Sequence, residues 1–161
     1  MDFDERLEKA IERGQRMGDA QAKAAQRDAV SEEECKRIHS QYRLALSEHI
    51  ESGLRRLPDH FPGFRYEAVV GERGWGAAVS RDDVGRGSDG SRRSFFSRLE
   101  MTVRPYSTYR VLELTAKGTI RNKEIYNRTH FQRLGEADPK SFTDMIDLWI
   151  LEYAELYAAK S

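Results

Sequence analysis

Residues 94–134 read SFFSRLEMTVRPYSTYRVLELTAKGTIRNKEIYNRTHFQRL, and the alternation within them decides the fold. Phe95, Leu99, Met101 and Val103 share one parity, whereas Arg98, Glu100, Thr102 and Arg104 take the other. A strand with one dry and one wet face has this period of two. Pro105, Tyr106 and Ser107 then supply turn chemistry. From Tyr109 to Ile120 the alternation resumes, with Leu112, Leu114, Ala116 and Ile120 on one side and Glu113, Thr115 and Lys117 on the other. Gly118 falls on the apolar side, where a glycine marks a bulge or a close backbone approach. A four-residue connection over residues 121–124 would set Ile120 opposite Ile125 and Leu114 opposite Phe131. In that register the outer face carries Arg98, Glu100, Arg104, Glu113, Lys117, Arg128 and His130.

Working outward, Phe64, Tyr66, Ala68 and Val70 alternate before Gly71-Glu72-Arg73-Gly74, a hairpin turn, and Trp75, Ala77 and Val79 continue on the return strand. Trp75 and Tyr66 share the parity of the alanines, which points to packing rather than to base stacking. Residues 81–94 combine Asp82, Asp83, Gly85, Gly87, Asp89, Gly90, Arg92 and Arg93, and the composition predicts a long hydrophilic loop. No G-K-[ST] motif accompanies its glycines, so the pattern is not that of a phosphate loop. Arg92 and Arg93 are nonetheless placed to reach an anion.

Helical spacing governs both ends of the chain. Phe3, Leu7, Ile11, Gly14 and Met17 lie on one helix face, which continues with alanines only. Alanine favours helix yet buries little. Ser31 and Glu34 have the spacing of a capping box, which predicts a kink or break near residues 28–31 and a second helix beyond it. Cys35, Ile38, Tyr42, Leu46, His49, Ile50 and Leu54 form the stripe of that helix, and Leu57-Pro58 stops it. Asp138-Pro139 opens the last helix, where Phe142, Met145, Ile146, Trp149, Tyr153, Leu156 and Tyr157 line one face.

The expected architecture is therefore α+β: an N-terminal helix or helical hairpin, an antiparallel meander of about five strands, and a C-terminal helix on one face of the sheet. Residues 1–30 read as a helical extension and residues 31–161 as a single domain. The 161 residues suit one core of ordinary size. Charged residues make up 34% and hydrophobic ones 39%, so the long elements must each be wetted along one side. No run approaches the roughly 20 apolar residues of a spanning helix. The acidic start lacks the basic and apolar pattern of a signal peptide. A lone Cys35 forms no internal disulfide. These features together predict a soluble, cytoplasmic chain without membrane contact.

Net charge is zero but unevenly spread. Residues 1–61 carry 11 basic and 13 acidic groups, residues 62–134 carry 14 and 8, and residues 135–161 carry 2 and 6. The sheet is thus basic and the helical ends acidic, as expected if helices and sheet complement one another. His39, His49, His60 and His130 form no metal-binding motif, and one cysteine starts no zinc knuckle. Neither a metal nor a cofactor is expected, and no residue set has a catalytic signature. The leading expectation is a non-enzymatic protein-interaction module that binds itself or another protein through the N-terminal helix. An alternative is a nucleic acid or other polyanion bound by Arg98, Arg104, Lys117, Arg128 and His130 on the sheet, with Arg92 and Arg93 nearby. A third is a small-molecule or enzymatic cavity between the last helix and the sheet.

Overall fold

The computed structural model describes residues 2–160, the side chains of residues 28–30 excepted. Helix α1 (Phe3–Leu54) and a short turn of helix α2 (Leu57–His60) precede five strands. These are β1 (Arg65–Gly71), β2 (Gly74–Arg86), β3 (Arg92–Val103), β4 (Val111–Ile120) and β5 (Lys123–Arg133). A 3-10 turn at Leu134–Glu136 leads to helix α3 (Pro139–Lys160). The class is α+β, with one antiparallel sheet in the order β1-β2-β3-β4-β5. The chain divides into two compact units, Met1–Arg37 and Ile38–Ser161.

In the second unit, α3 and the end of α1 cover one face of the sheet. Leu99, Met101 and Val103 of β3 and Leu112, Leu114, Ala116 and Ile120 of β4 point into that layer and are buried. Leu46, Ile50 and Leu54 meet them from α1, and Phe142, Ile146, Trp149, Tyr153 and Tyr157 from α3. Burying each such side chain is worth about 1.5–3 kcal/mol before entropy. Asp138 caps α3, its Oδ1 accepting from the Lys140 amide at 3.1 Å, with Pro139 at the first helical position. Two tyrosines tie α3 to the sheet edge. Tyr126 Oη donates to the Trp149 carbonyl at 3.0 Å, and Tyr153 Oη donates to the Thr119 carbonyl at 2.8 Å.

Four sequence expectations are corrected here. No break occurs near residues 28–31: α1 continues through them, so Ser31 lies inside the helix rather than at a start, and Glu34 pairs with Arg37 one turn on. Strong helix formers on both sides, Ala24, Ala25, Gln26 and Arg27 before and Glu32, Glu33 and Glu34 after, carry the backbone through. The buried stripe of α1 keeps Leu46, Ile50 and Leu54 as expected but also takes in His39, which is 2% exposed. His49 instead sits at the margin, where its Nε2 donates to Asp147 at 2.8 Å.

Third, residues 81–94 are a hairpin, not a loop. β2 and β3 pair as far as Arg86↔Arg92. The Gly87 amide bonds to the Ser91 carbonyl at 2.8 Å, and Gly90 takes a φ of +82° in the turn. Across the pair, Phe95 packs onto the bare Gly85 position, where a β-carbon would lie 2.7 Å from its ring, and the Ser94 hydroxyl donates to Asp82 at 3.5 Å.

The fourth concerns register. Ile120 pairs with Lys123, not Ile125, around a two-residue turn in which Arg121 (φ 48°) and Asn122 (φ 71°) are both left-handed. That is the geometry favoured by right-twisted hairpins. The tighter turn slides β5 by two residues and alone would preserve its faces. A bulge beside Gly118 then adds one more residue, so Gly118 lies opposite Tyr126 and Leu114 opposite His130. A one-residue slip turns the strand over. Arg128 and His130 therefore face α3, and Phe131, 64% exposed, faces away from it.

Candidate functional site

Two surfaces are described in turn: the outer face of the sheet in the second unit, and the helical stretch that forms the first unit. The sheet face is polar because alternate residues of each strand must stand there. Arg98, Glu100 and Thr102 of β3, with Arg104 just beyond it, lie beside Glu113, Thr115, Lys117 and Thr119 of β4, with Glu67 reaching in from β1. The small residues Gly76 and Ala78 occupy β2 between them. A β-carbon on Gly76 would lie 1.9 Å from the Met101 carbonyl oxygen, so nothing larger fits there.

Arg98 is at the centre of this face and is fully engaged. Its Nη1 donates to Glu67 at 2.6 Å and its Nη2 to Glu100 at 3.1 Å. Those carboxylates hold its guanidinium above the ordinary arginine range, although burial works against the charge. Arg104 lies 3.6 Å from Glu113. Thr102 and Thr115 share a hydrogen bond of 2.9 Å across the strands. A hollow of about 260 Å³ is lined by Arg73, Arg98, Glu100, Lys117 and Thr119. Arg73 belongs to the β1–β2 turn, and only its long side chain brings it to this face, a reach that spacing along the chain does not reveal.

The seven basic residues singled out from sequence do not form one site. Arg98, Arg104 and Lys117 share the open face. Arg128 lies on the other side, paired with Glu152 of α3. His130 is there as well, 3.0 Å from Ser141 Oγ and edge-on to the Phe142 ring at 4.6 Å. Arg92 and Arg93 are at the tip of the β2–β3 hairpin, where Arg92 stands directly opposite Arg86 and Arg93 lies 3.9 Å from Asp89. Trp75 and Tyr66 are on the helix side as expected, each capped by an arginine, one within α1 and one just beyond its end. The Arg43 guanidinium lies 4.3 Å above Trp75, and that of Arg55 lies 4.7 Å above Tyr66.

A groove of about 410 Å³ opens beside α3 at the end of α1 and at α2, with Leu57, Ile150 and Leu151 as its apolar walls. Its place is between helices rather than between α3 and the sheet. Among the described residues no group of three His, Cys, Asp or Glu side chains is arranged to hold a metal ion. No helix among them is long and apolar enough to cross a membrane.

The first unit offers a different surface. Phe3, Leu7, Ile11 and Met17 are 72%, 47%, 52% and 64% exposed. At spacings of four, four and six residues they fall on one side of the helix, flanked by Gly14 and Gly18. A β-carbon on either glycine would meet nothing within 4 Å. Asp2 caps the helix, its Oδ1 accepting from the Glu5 amide at 2.9 Å. The capped helix terminus thus carries bulky, largely exposed apolar side chains immediately behind it.

No family model, no curated protein and no solved structure matches this chain.

Proposed function

We propose that the protein is a non-enzymatic interaction module that associates with itself through the first stretch of α1. One observation carries this reading: four large apolar side chains, Phe3, Leu7, Ile11 and Met17, stand in water on one helix face. Single exposed apolar residues are ordinary, but a continuous stripe of them marks a surface for association. An isolated helix of modest length is also marginal in water, and packing of its apolar face is what stabilises it. A second copy supplies that packing.

The outer sheet face supports a polyanion less well. Arg98 and Arg104 are committed to glutamates, and Arg128 and His130 lie beneath α3. Glu67, Glu100 and Glu113 would repel a phosphate backbone at the positions where it must lie. Arg73 and Lys117 alone make a weak electrostatic footprint.

The test is the solution mass of the full chain beside a Leu7→Asp/Ile11→Asp variant, by sedimentation equilibrium. The parent should sediment as a dimer or larger and the variant as a monomer, with the circular-dichroism signal of the sheet unchanged. A parent that stays monomeric into the millimolar range would end the proposal.

A further inference from the structure

We infer that the self-association is an antiparallel pairing, in which residues 3–11 of one helix lie on residues 18–25 of a second copy. This inference rests on the reading above and adds the direction, the register and the contact face. Two independent features of the first unit point to it.

One is the distribution of side-chain size along the stripe. Phe3, Leu7 and Ile11 are followed on the same face by Gly14, Gly18, Ala22 and Ala25. At 100° per residue these seven positions fall within about 100° of arc, a single stripe. Its first half is bulky and its second half small, with Met17 standing about 40° outside its edge at 100° per residue. In a parallel pair, bulk would meet bulk at one end and bare backbone would face bare backbone at the other, so one interaxial distance could not suit both. Turned end for end, bulk meets bare backbone at every level. Phe3 then lies against Ala25, Leu7 against Ala22 and Ile11 against Gly18, with the two-fold axis passing beside Gly14. Such a pair is isologous, each copy giving and receiving the same contacts.

Charge is the second feature, and it is set by different residues. Residues 2–12 carry five acidic groups (Asp2, Asp4, Glu5, Glu8, Glu12) against the two basic groups Arg6 and Lys9. Residues 13–27 carry four basic groups (Arg13, Arg16, Lys23, Arg27) against the single acidic Asp19. The net values are −3 and +3. Parallel alignment sets like charge beside like along the whole seam, whereas the antiparallel register sets the acidic half of each copy beside the basic half of the other. Helix dipoles also favour opposed directions. In this register the contact ends before residue 28, so it requires the first unit only.

Disulfide trapping in the full chain reads the direction. With Cys35→Ser as background, one variant carries Leu7→Cys and another Ala22→Cys. The two are mixed and oxidised mildly, and the products are resolved by mass. The expected result is a mixed disulfide as the main product, with little self-disulfide from either variant alone. Phe3→Cys with Ala25→Cys repeats the measurement toward the helix start, in case Leu7→Cys loosens the pair. A dimer by sedimentation that yields self-disulfides at each position, or no mixed product, would overturn the antiparallel register and leave self-association standing. A monomer by sedimentation would overturn both.

Discussion

Ile11 and Ile50 belong to the same helix and have opposite surroundings: one is 52% exposed, the other 0%. Both stand on an apolar face with a neighbour four residues away, Leu7 for the first and Leu46 for the second. What separates them is what lies across from each. Leu46, Ile50 and Leu54 meet β3, β4 and α3, which supply a dry surface of matching width. Leu7 and Ile11, in the first unit, are each left about half exposed. Helical propensity and capping are local and act alike at both ends of α1, whereas burial needs a partner. A helix can therefore be well formed and still incomplete.

The sharpest way to break this comparison is to shorten both isoleucines. Ile50→Ala should lower the unfolding free energy of the sheet-containing unit by about 2–5 kcal/mol, the usual loss for a buried large-to-small change. Urea melts followed by the fluorescence of Trp75 and Trp149 report on that unit alone. Ile11→Ala should leave the same melt unchanged to within about 0.5 kcal/mol when the chain is dilute enough to be dissociated. A matching loss from both variants would mean that the two stretches fold as one cooperative body, and the contrast would collapse.

The glycines of α1 sharpen it further, with smaller effects of opposite sign. A β-carbon on Gly53 would lie 2.6 Å from Ile150 Cδ1, whereas one on Gly14 has nothing within 4 Å. Alanine for glycine inside a helix gains about 1 kcal/mol from propensity. At Gly14 that gain should appear undiminished as a higher helix content at concentrations below association. At Gly53 the Ile150 side chain must turn aside, and overpacking costs about 1–3 kcal/mol. Gly53→Ala should thus be neutral to destabilising by about 2 kcal/mol in the same urea melts. Stabilisation at Gly53 equal to that at Gly14 would show that α1 and α3 are looser there than the contact implies.

The legibility of the chain follows the same division between local and non-local causes. The strands and α3 were readable because alternation, helical spacing and the Asp138-Pro139 start are written in adjacent residues. The face of β5 was not. Gly118 signals a bulge, but whether an extra residue sits beside it depends on the Arg121-Asn122 turn. Arginine is an unusual occupant of a left-handed position, and here its guanidinium stacks 4.3 Å from the Phe95 ring. Asn122 is held by bonds to Phe96 and Ser94, far away in sequence. Contacts across more than twenty residues thus fix a turn of two. One residue of slip then moved Arg128 and His130 beneath α3 and removed two of the five cations assigned to the open face. On the N-terminal helix the apolar face was plain from sequence, because an exposed stripe and a buried stripe have the same spacing. Its exposure was not, since spacing along one helix does not say what packs against it.

His39 provides the finest probe of the buried end of α1. Its Nε2–H donates to the Arg104 carbonyl at 3.1 Å, and its ring stands edge-on to Tyr106 at 5.7 Å. Burial holds its pKa below the usual histidine value, the bond to Arg104 acts in the opposite direction, and the Arg43 charge adds to the depression. The unfolded chain therefore takes up the proton more readily than the folded one. Stability from this group is fully present above the ordinary histidine value of about 6.5 and is lost as pH falls through it toward the lower folded value. His39→Gln keeps an N–H donor and removes the titration. Urea midpoints compared between about pH 5 and about pH 7.5 should fall more steeply on acidification for the parent than for the variant, since the two proteins differ at that ring alone. Equal slopes would mean that water reaches the His39 ring, and that this end of α1 is not sealed against the sheet as the exposure of Leu46 and Ile50 indicates.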